Sequence, residues 1–288
     1  MNLFELFVKI GADTSEADKG IDETGKKTFG LGEKIKSGLA TVGKAAVVGV
    51  TAAATAIGTI GTKAIQAYAD YEQLVGGVET LFKDSQDKVM EYANNAYKTA
   101  GLSANEYMET VTSFSASLLQ SLDGDTSAAA EKANLALTDM SDNANKMGSD
   151  MTLIQNAYQG FAKANYTMLD NLKLGYGGTQ AEMQRLLEDA EKISGIKYDI
   201  SSYADIVDAI HVVQTEMGIT GTTAKEAEHT ISGSINALQA AGKNLLVGFG
   251  NADADMEQLC GNMAEALKNV ISNITPVIEN IVKALPTA

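Results

Sequence analysis

Only two prolines interrupt 288 residues, tryptophan is absent, and Ala, Leu, Met, Glu and Lys are abundant. Proline removes a helical hydrogen bond and clashes with the preceding turn, so its scarcity leaves little to break helices, and few residues here favour sheets. The expected fold is therefore mainly α. Glycine is the counterweight, at 27 residues. It clusters in the first third and at Gly175, Gly177 and Gly178, where it punctuates an otherwise helical pattern.

Three regions follow from the pattern. Residues 1–63 open with LFELFVKI, which puts Phe4, Leu6, Val8 and Ile10 on one side of a short N-terminal strand. A polar amphipathic helix is expected next, with Ser15 as N-cap and Asp18 three residues on. Residues 64–250 read as a compact multi-helix domain with explicit start signals. Capping boxes stand at Ser103 with Glu106, Thr179 with Glu182 and Thr223 with Glu226, and Ser202 with Asp205 is a near variant. Apolar stripes follow them: Tyr107, Met108, Val111, Phe114, Leu118 and Leu119; Met183, Leu186, Leu187, Ala190 and Ile193; Ile206, Ile210, Val213 and Met217. Residues 251–288 carry a long seam, Met256, Leu259, Met263, Leu267, Val270, Ile274, Ile278, Ile281 and Leu285, in steps of three and four. That spacing predicts a coiled-coil-like helix or oligomer seam, interrupted near Pro276, where Thr275 is placed to cap a new helix.

From Ala45 to Thr62 there are 18 residues without charge. Small residues recur every four positions along it, and Gly49, Ala53, Ile57, Gly58 and Gly61 mark a candidate membrane or helix-packing segment. The length admits a membrane span, whereas the Ala, Gly and Thr content suits tight packing in a soluble oligomer; both readings stay open.

Charge is unevenly placed. Residues 1–63 hold eight Lys and seven acidic residues, and the remaining chain holds 14 Lys or Arg against 30 acidic residues. Such acidity disfavours specific nucleic-acid binding, which needs basic patches to neutralise phosphates. The lone Cys260 excludes an internal disulfide framework and fits a reducing compartment, and His211 and His229 are too few for a metal cluster. Neither histidine has a visible catalytic partner. The run Leu174–Thr179 looks like a phosphate cradle, but it lacks the lysine and the preceding strand of a nucleotide-binding turn; a helix end, a tight turn and a Thr179 N-cap describe it better. No catalytic residue, cofactor or metal is expected.

The run Gln159-Gly160-Phe161-Ala162-Lys163-Ala164-Asn165-Tyr166-Thr167-Met168-Leu169-Asp170-Asn171-Leu172-Lys173-Leu174-Gly175-Tyr176-Gly177-Gly178-Thr179, then Glu182-Met183 and Leu186-Leu187, resembles the characteristic segment of tape measure proteins from long-tailed phages and prophages of Gram-positive bacteria. The opening FVKIGADTSEADKGI and the block from Thr230 to Leu267 are similar to the same family, so the resemblance spans most of the chain. Gly242 departs from it, standing where many relatives would carry tryptophan.

The resemblance implies the N-terminal region of a structural ruler and scaffold: helical copies fill the lumen of the growing tail, tube subunits polymerise around them, and polypeptide length sets tail length. At ~1.5 Å per residue, a wholly helical chain of this length would span at most ~430 Å. The implied partners are further copies of the chain in the lumen, the tail tube protein, tail assembly chaperones, distal tail or baseplate hub proteins, and the host membrane on genome ejection. The implied location is the virion tail, with the host cytoplasm during assembly. The competing class is a membrane-active, pore-forming or secreted toxin using the 45–62 segment; a peptidoglycan-degrading enzyme fares worse, since no catalytic constellation stands out.

Overall fold

The computed structural model describes residues 51–284. The expected strand at residues 3–10, the polar helix after it, Gly49 and Leu285 lie outside the described residues. Within them are ten α-helices and no strand: α1 (Thr51–Phe82), α2 (Gln86–Thr99), α3 (Ala104–Ser121), α4 (Thr126–Met147), α5 (Met151–Phe161), α6 (Gln180–Ser194), α7 (Tyr203–Glu216), α8 (Thr222–His229), α9 (Ile231–Gly250) and α10 (Met256–Ala284). Short 3₁₀ turns at Lys83–Ser85 and Leu169–Leu172 join α1 to α2 and follow α5.

Local chemistry starts most of these helices. Ser103 and Glu106 form a reciprocal capping box on α3, Asp125 and Asp150 cap α4 and α5, and Thr179, Ser202 and Thr230 cap α6, α7 and α9. The box expected at Thr223 and Glu226 does not form. Helix α8 begins two residues earlier, with Gly221 at the N-cap in the left-handed region, and its orphan donors are taken by a side chain from elsewhere. Asp142 of α4 accepts from Gly221 N at 2.6 Å and Thr223 N at 2.7 Å, a fully buried carboxylate acting on a helix 79 residues away.

The three stripes converge on one core. Tyr107, Met108, Val111, Phe114, Leu118, Met183, Leu186, Leu187, Ala190, Ile206, Ile210 and Val213 are all buried, whereas Ile193 and Met217, at the ends of their stripes, reach the surface. Helix α6 packs on α7, α7 lies across α4 and α3, and α9 packs against α1, α8 and α10.

The 63/64 boundary falls inside the uninterrupted helix α1. Its close approach to α9 comes at Ala64, where a Cβ on Gly250 would stand 2.5 Å from Tyr68 Cβ and 3.1 Å from the Ala64 carbonyl oxygen. Gly61, expected at such a contact, faces open space. Ala53, Ile57 and Gly58 lie on α1. No helix among the described residues is long and apolar enough to cross a membrane.

The expected interruption of the C-terminal seam is absent. α10 runs through Pro276 as one helix, and Thr275 bonds the Ile271 carbonyl one turn back instead of capping a new helix. The carbonyl that Pro276 leaves without its helical donor belongs to exposed Ser272, where solvent access makes the loss tolerable. The seam is also partly internal. Met263, Leu267, Val270 and Ile274 pack with Leu238 and Ala241 of α9 and Tyr97 of α2. Asn273 Nδ2 donates to the Glu228 and Thr230 carbonyls, fixing this pairing. Met256 and Leu259 are half-buried near Gly248. Ile278 and Ile281, beyond the reach of α9, are 54% and 55% exposed.

Candidate functional site

The segment from Gln159 to Leu187 is built from α5, a 3₁₀ turn and the start of α6. At its entrance Asn165 N donates to the Gly160 carbonyl, and a side chain at Gly160 would crowd the Asn165 carbonyl oxygen at 2.9 Å. The Asn165 side chain accepts from Thr167 N and Oγ1, a local turn of the kind asparagine favours. Tyr166 stacks on Phe161 and its hydroxyl donates to the Ile200 carbonyl at 3.1 Å.

The 3₁₀ turn is then clamped onto α4 and α5. Leu169 and Leu172 are fully buried. Buried Asn143 donates to the Leu172 carbonyl at 2.9 Å, Ser149 to the Asn171 carbonyl, and Asn171 Nδ2 to the Leu153 carbonyl. Lys173, in the left-handed region at φ 54°, reaches the last carbonyls of α4 at Met147 and Gly148, where a cation complements the helix dipole.

The glycine turn beyond it is closed by Arg185, the one arginine of the sequence. Its guanidinium sits 4.3 Å from the Tyr176 ring centroid, donates to the Gly175 carbonyl at 2.8 Å and pairs with Glu182. Glu182 accepts from Gly177 N at 3.0 Å. A bound anion would need that N–H, and the chain's own carboxylate already holds it. Tyr176 bonds Asp189, and its hydroxyl is pushed up to about 12, mainly by burial and then by that carboxylate. Gly175 has φ 88°, and a Cβ on Gly178 would overlap the Thr167 carbonyl oxygen. Thr179 caps α6, and Met183 is buried. The named motif residues thus come together, and their polar atoms bind other parts of the same chain.

A second polar cluster was not legible in the sequence. His211 does have a carboxylate partner: its Nδ1 lies 3.0 Å from both oxygens of Asp139, 72 residues earlier. Burial drives the Asp139 carboxyl up to about 6, against the pull of His211. The hydrogen bond to Asp139 holds His211 above its ordinary value, against partial burial. Lys132, two turns before Asp139, pairs with Asp208, one turn before His211. His229 is exposed beside Glu228, and Cys260 is half-buried on α10. No group of three His, Cys, Asp or Glu side chains among the described residues is arranged to hold a metal.

Comparison with known proteins adds no relative: no family model, curated protein or solved structure matches this chain.

Three residues of the clamp, Asn143, Lys173 and Arg185, and Asp142, which caps α8, carried no signal in periodicity or capping. A single arginine in 288 residues was the one compositional mark of any of them. At Gly242 a Cβ would meet nothing within 4 Å, so glycine there leaves open space beside α9 and strains no contact.

Proposed function

We propose that this chain works as a tape measure protein of a phage or prophage tail, a ruler and scaffold around which tube subunits polymerise, with polypeptide length setting tail length. The observation that carries this reading is the clamp from Asn165 to Leu187. The residues that bear the family resemblance bond one another and hold the 3₁₀ turn onto α4 and α5, an arrangement that serves architecture. Exposed Ile278 and Ile281 at the projecting end of α10 support association with further copies of the chain. The tube protein, assembly chaperones and distal tail or baseplate hub proteins are the partners on this reading, in the virion tail and, during assembly, the host cytoplasm. Contact with the host membrane at genome ejection would fall to the segment at 45–62.

The test lengthens or shortens the seam-like region of the gene in frame and measures tails by electron microscopy. Tail length should change in proportion to the residues added or removed. Tails of unchanged length would overturn the ruler.

A further inference from the structure

Helices α6 and α7 form a hairpin, and α7 alone carries most of its docking onto α3 and α4. Much of that interface is apolar, through Ile206, Val207, Ile210 and Val213. Its centre is not. Lys132 with Asp208 and Asp139 with His211 make two rungs of a polar ladder between α4 and α7. Beside it the Tyr203 hydroxyl is buried without a hydrogen-bond partner, and the Tyr158 hydroxyl and the Gln214 amide are buried against each other. Tyr158 also faces Asp139 and Tyr203, so these buried polar groups share one place. Buried polar groups without partners oppose docking, and each would gain water if the hairpin moved away.

Both ends of the hairpin have glycines in the left-handed region, Gly175 before α6 and Gly218 after α7. The segment before Gly175 is pinned to α4 through Asn143 and Lys173, and the segment after Gly218 is pinned to α4 by Asp142 at Gly221. The chain between the pins is held to the rest by the α7 interface, by Ala204 N on Ser121 Oγ and by the Tyr166 hydroxyl on Ile200.

We propose that the α6–α7 hairpin is a separable flap hinged near Gly175 and Gly218, and that the Asp139–His211 contact is its pH-sensitive latch. The groups that face this contact are Asp142 and Lys132 on α4, Asp208 on α7 and Tyr158 on α5. Protonated His211 neutralises the buried Asp139 carboxylate. When His211 loses its proton the carboxylate stays buried beside a neutral ring, with Asp142 and Asp208 adding repulsion, and the closed state weakens. Raising the pH past neutrality opens the flap, independently of whether the chain serves as a ruler.

The test is amide hydrogen exchange by mass spectrometry on the 288-residue chain at pH 6 and pH 8, corrected for intrinsic exchange rates. Peptides of α6 and α7 should exchange severalfold faster than those of α3 and α9, with the gap widening at pH 8. In the double variant Asp139→Leu with His211→Leu the gap should be pH-independent. Equal protection of the hairpin and of α3 and α9 at both pH values in the unmodified chain would overturn the flap. A pH-dependent gap that survives in the double variant would overturn the latch.

Discussion

The smallest features with large consequences here are missing atoms. At Gly178 the backbone passes against the Thr167 carbonyl, and at Gly175 the φ of 88° is one that side-chain-bearing residues rarely adopt. Gly178→Ala should therefore destabilise the protein by about 2–3 kcal/mol, the cost of forcing extra volume into a closed contact. Chemical denaturation would show it as a lower midpoint with an unchanged slope; a midpoint within error of the parent would mean that the turn has room the structure does not show. Arg185 acts on the same turn through three contacts at once, the Tyr176 face, the Gly175 carbonyl and Glu182. The glycines were visible in the sequence as a cluster. Their reason was not, because it lies in Thr167 and Arg185 approaching from either side.

Helices are where reading the sequence works best, and the caps show why. Ser103, Thr179 and Ser202 each bind the N–H three residues on, so the interaction that starts the helix lies within one turn of chain. Helix α8 breaks the pattern because its cap comes through space. Replacing Asp142 with alanine leaves the buried Gly221 and Thr223 donors without an acceptor and should cost about 2–3 kcal/mol, more than the ~1 kcal/mol expected for an exposed cap. Thermal unfolding that drops no further for Asp142→Ala than for Asp125→Ala, at an exposed cap, would contradict this. Helix α10 divides along its length for a related reason. Up to Ile274 its apolar face is covered by α9, and beyond that point Val277, Ile278 and Ile281 are exposed. Ile278→Glu with Ile281→Glu should leave the monomer's unfolding midpoint unchanged while shifting any self-association toward monomer in sedimentation velocity. A matching loss of monomer stability would place these side chains inside the fold instead.

Across the whole molecule the distinctive term is electrostatic. Asp139 and His211 both titrate above their ordinary values of 3.8 and 6.5 in the folded protein, Asp139 through burial and His211 through its bond to Asp139. Each binds its proton more tightly folded than unfolded. The stability this contributes is complete below the unfolded value and is lost as pH rises through the folded one: between 3.8 and about 6 for Asp139, and above 6.5 for His211. Glu106 acts in the opposite sense at lower pH: burial alone would raise it, but bonds from Lys243 and Ser103 hold it below 4.5, so its contribution is lost on acidification. Denaturation midpoints should accordingly fall from pH 6 to pH 8, and Asp139→Leu with His211→Leu should flatten that fall. A midpoint that rises over this range would refute the assignment.

Helical class, the starts of α3, α6 and α7, the three apolar stripes and the glycine turn followed from sequence, because each rests on interactions within one or two turns of chain. Tertiary structure decided the rest: that α10 folds back on α9, that Pro276 stays inside a helix, that Asp142 caps α8, and that His211 meets Asp139. Those contacts join residues tens of positions apart. Their partners are chosen by how the helices pack, and no local periodicity or spacing encodes that choice.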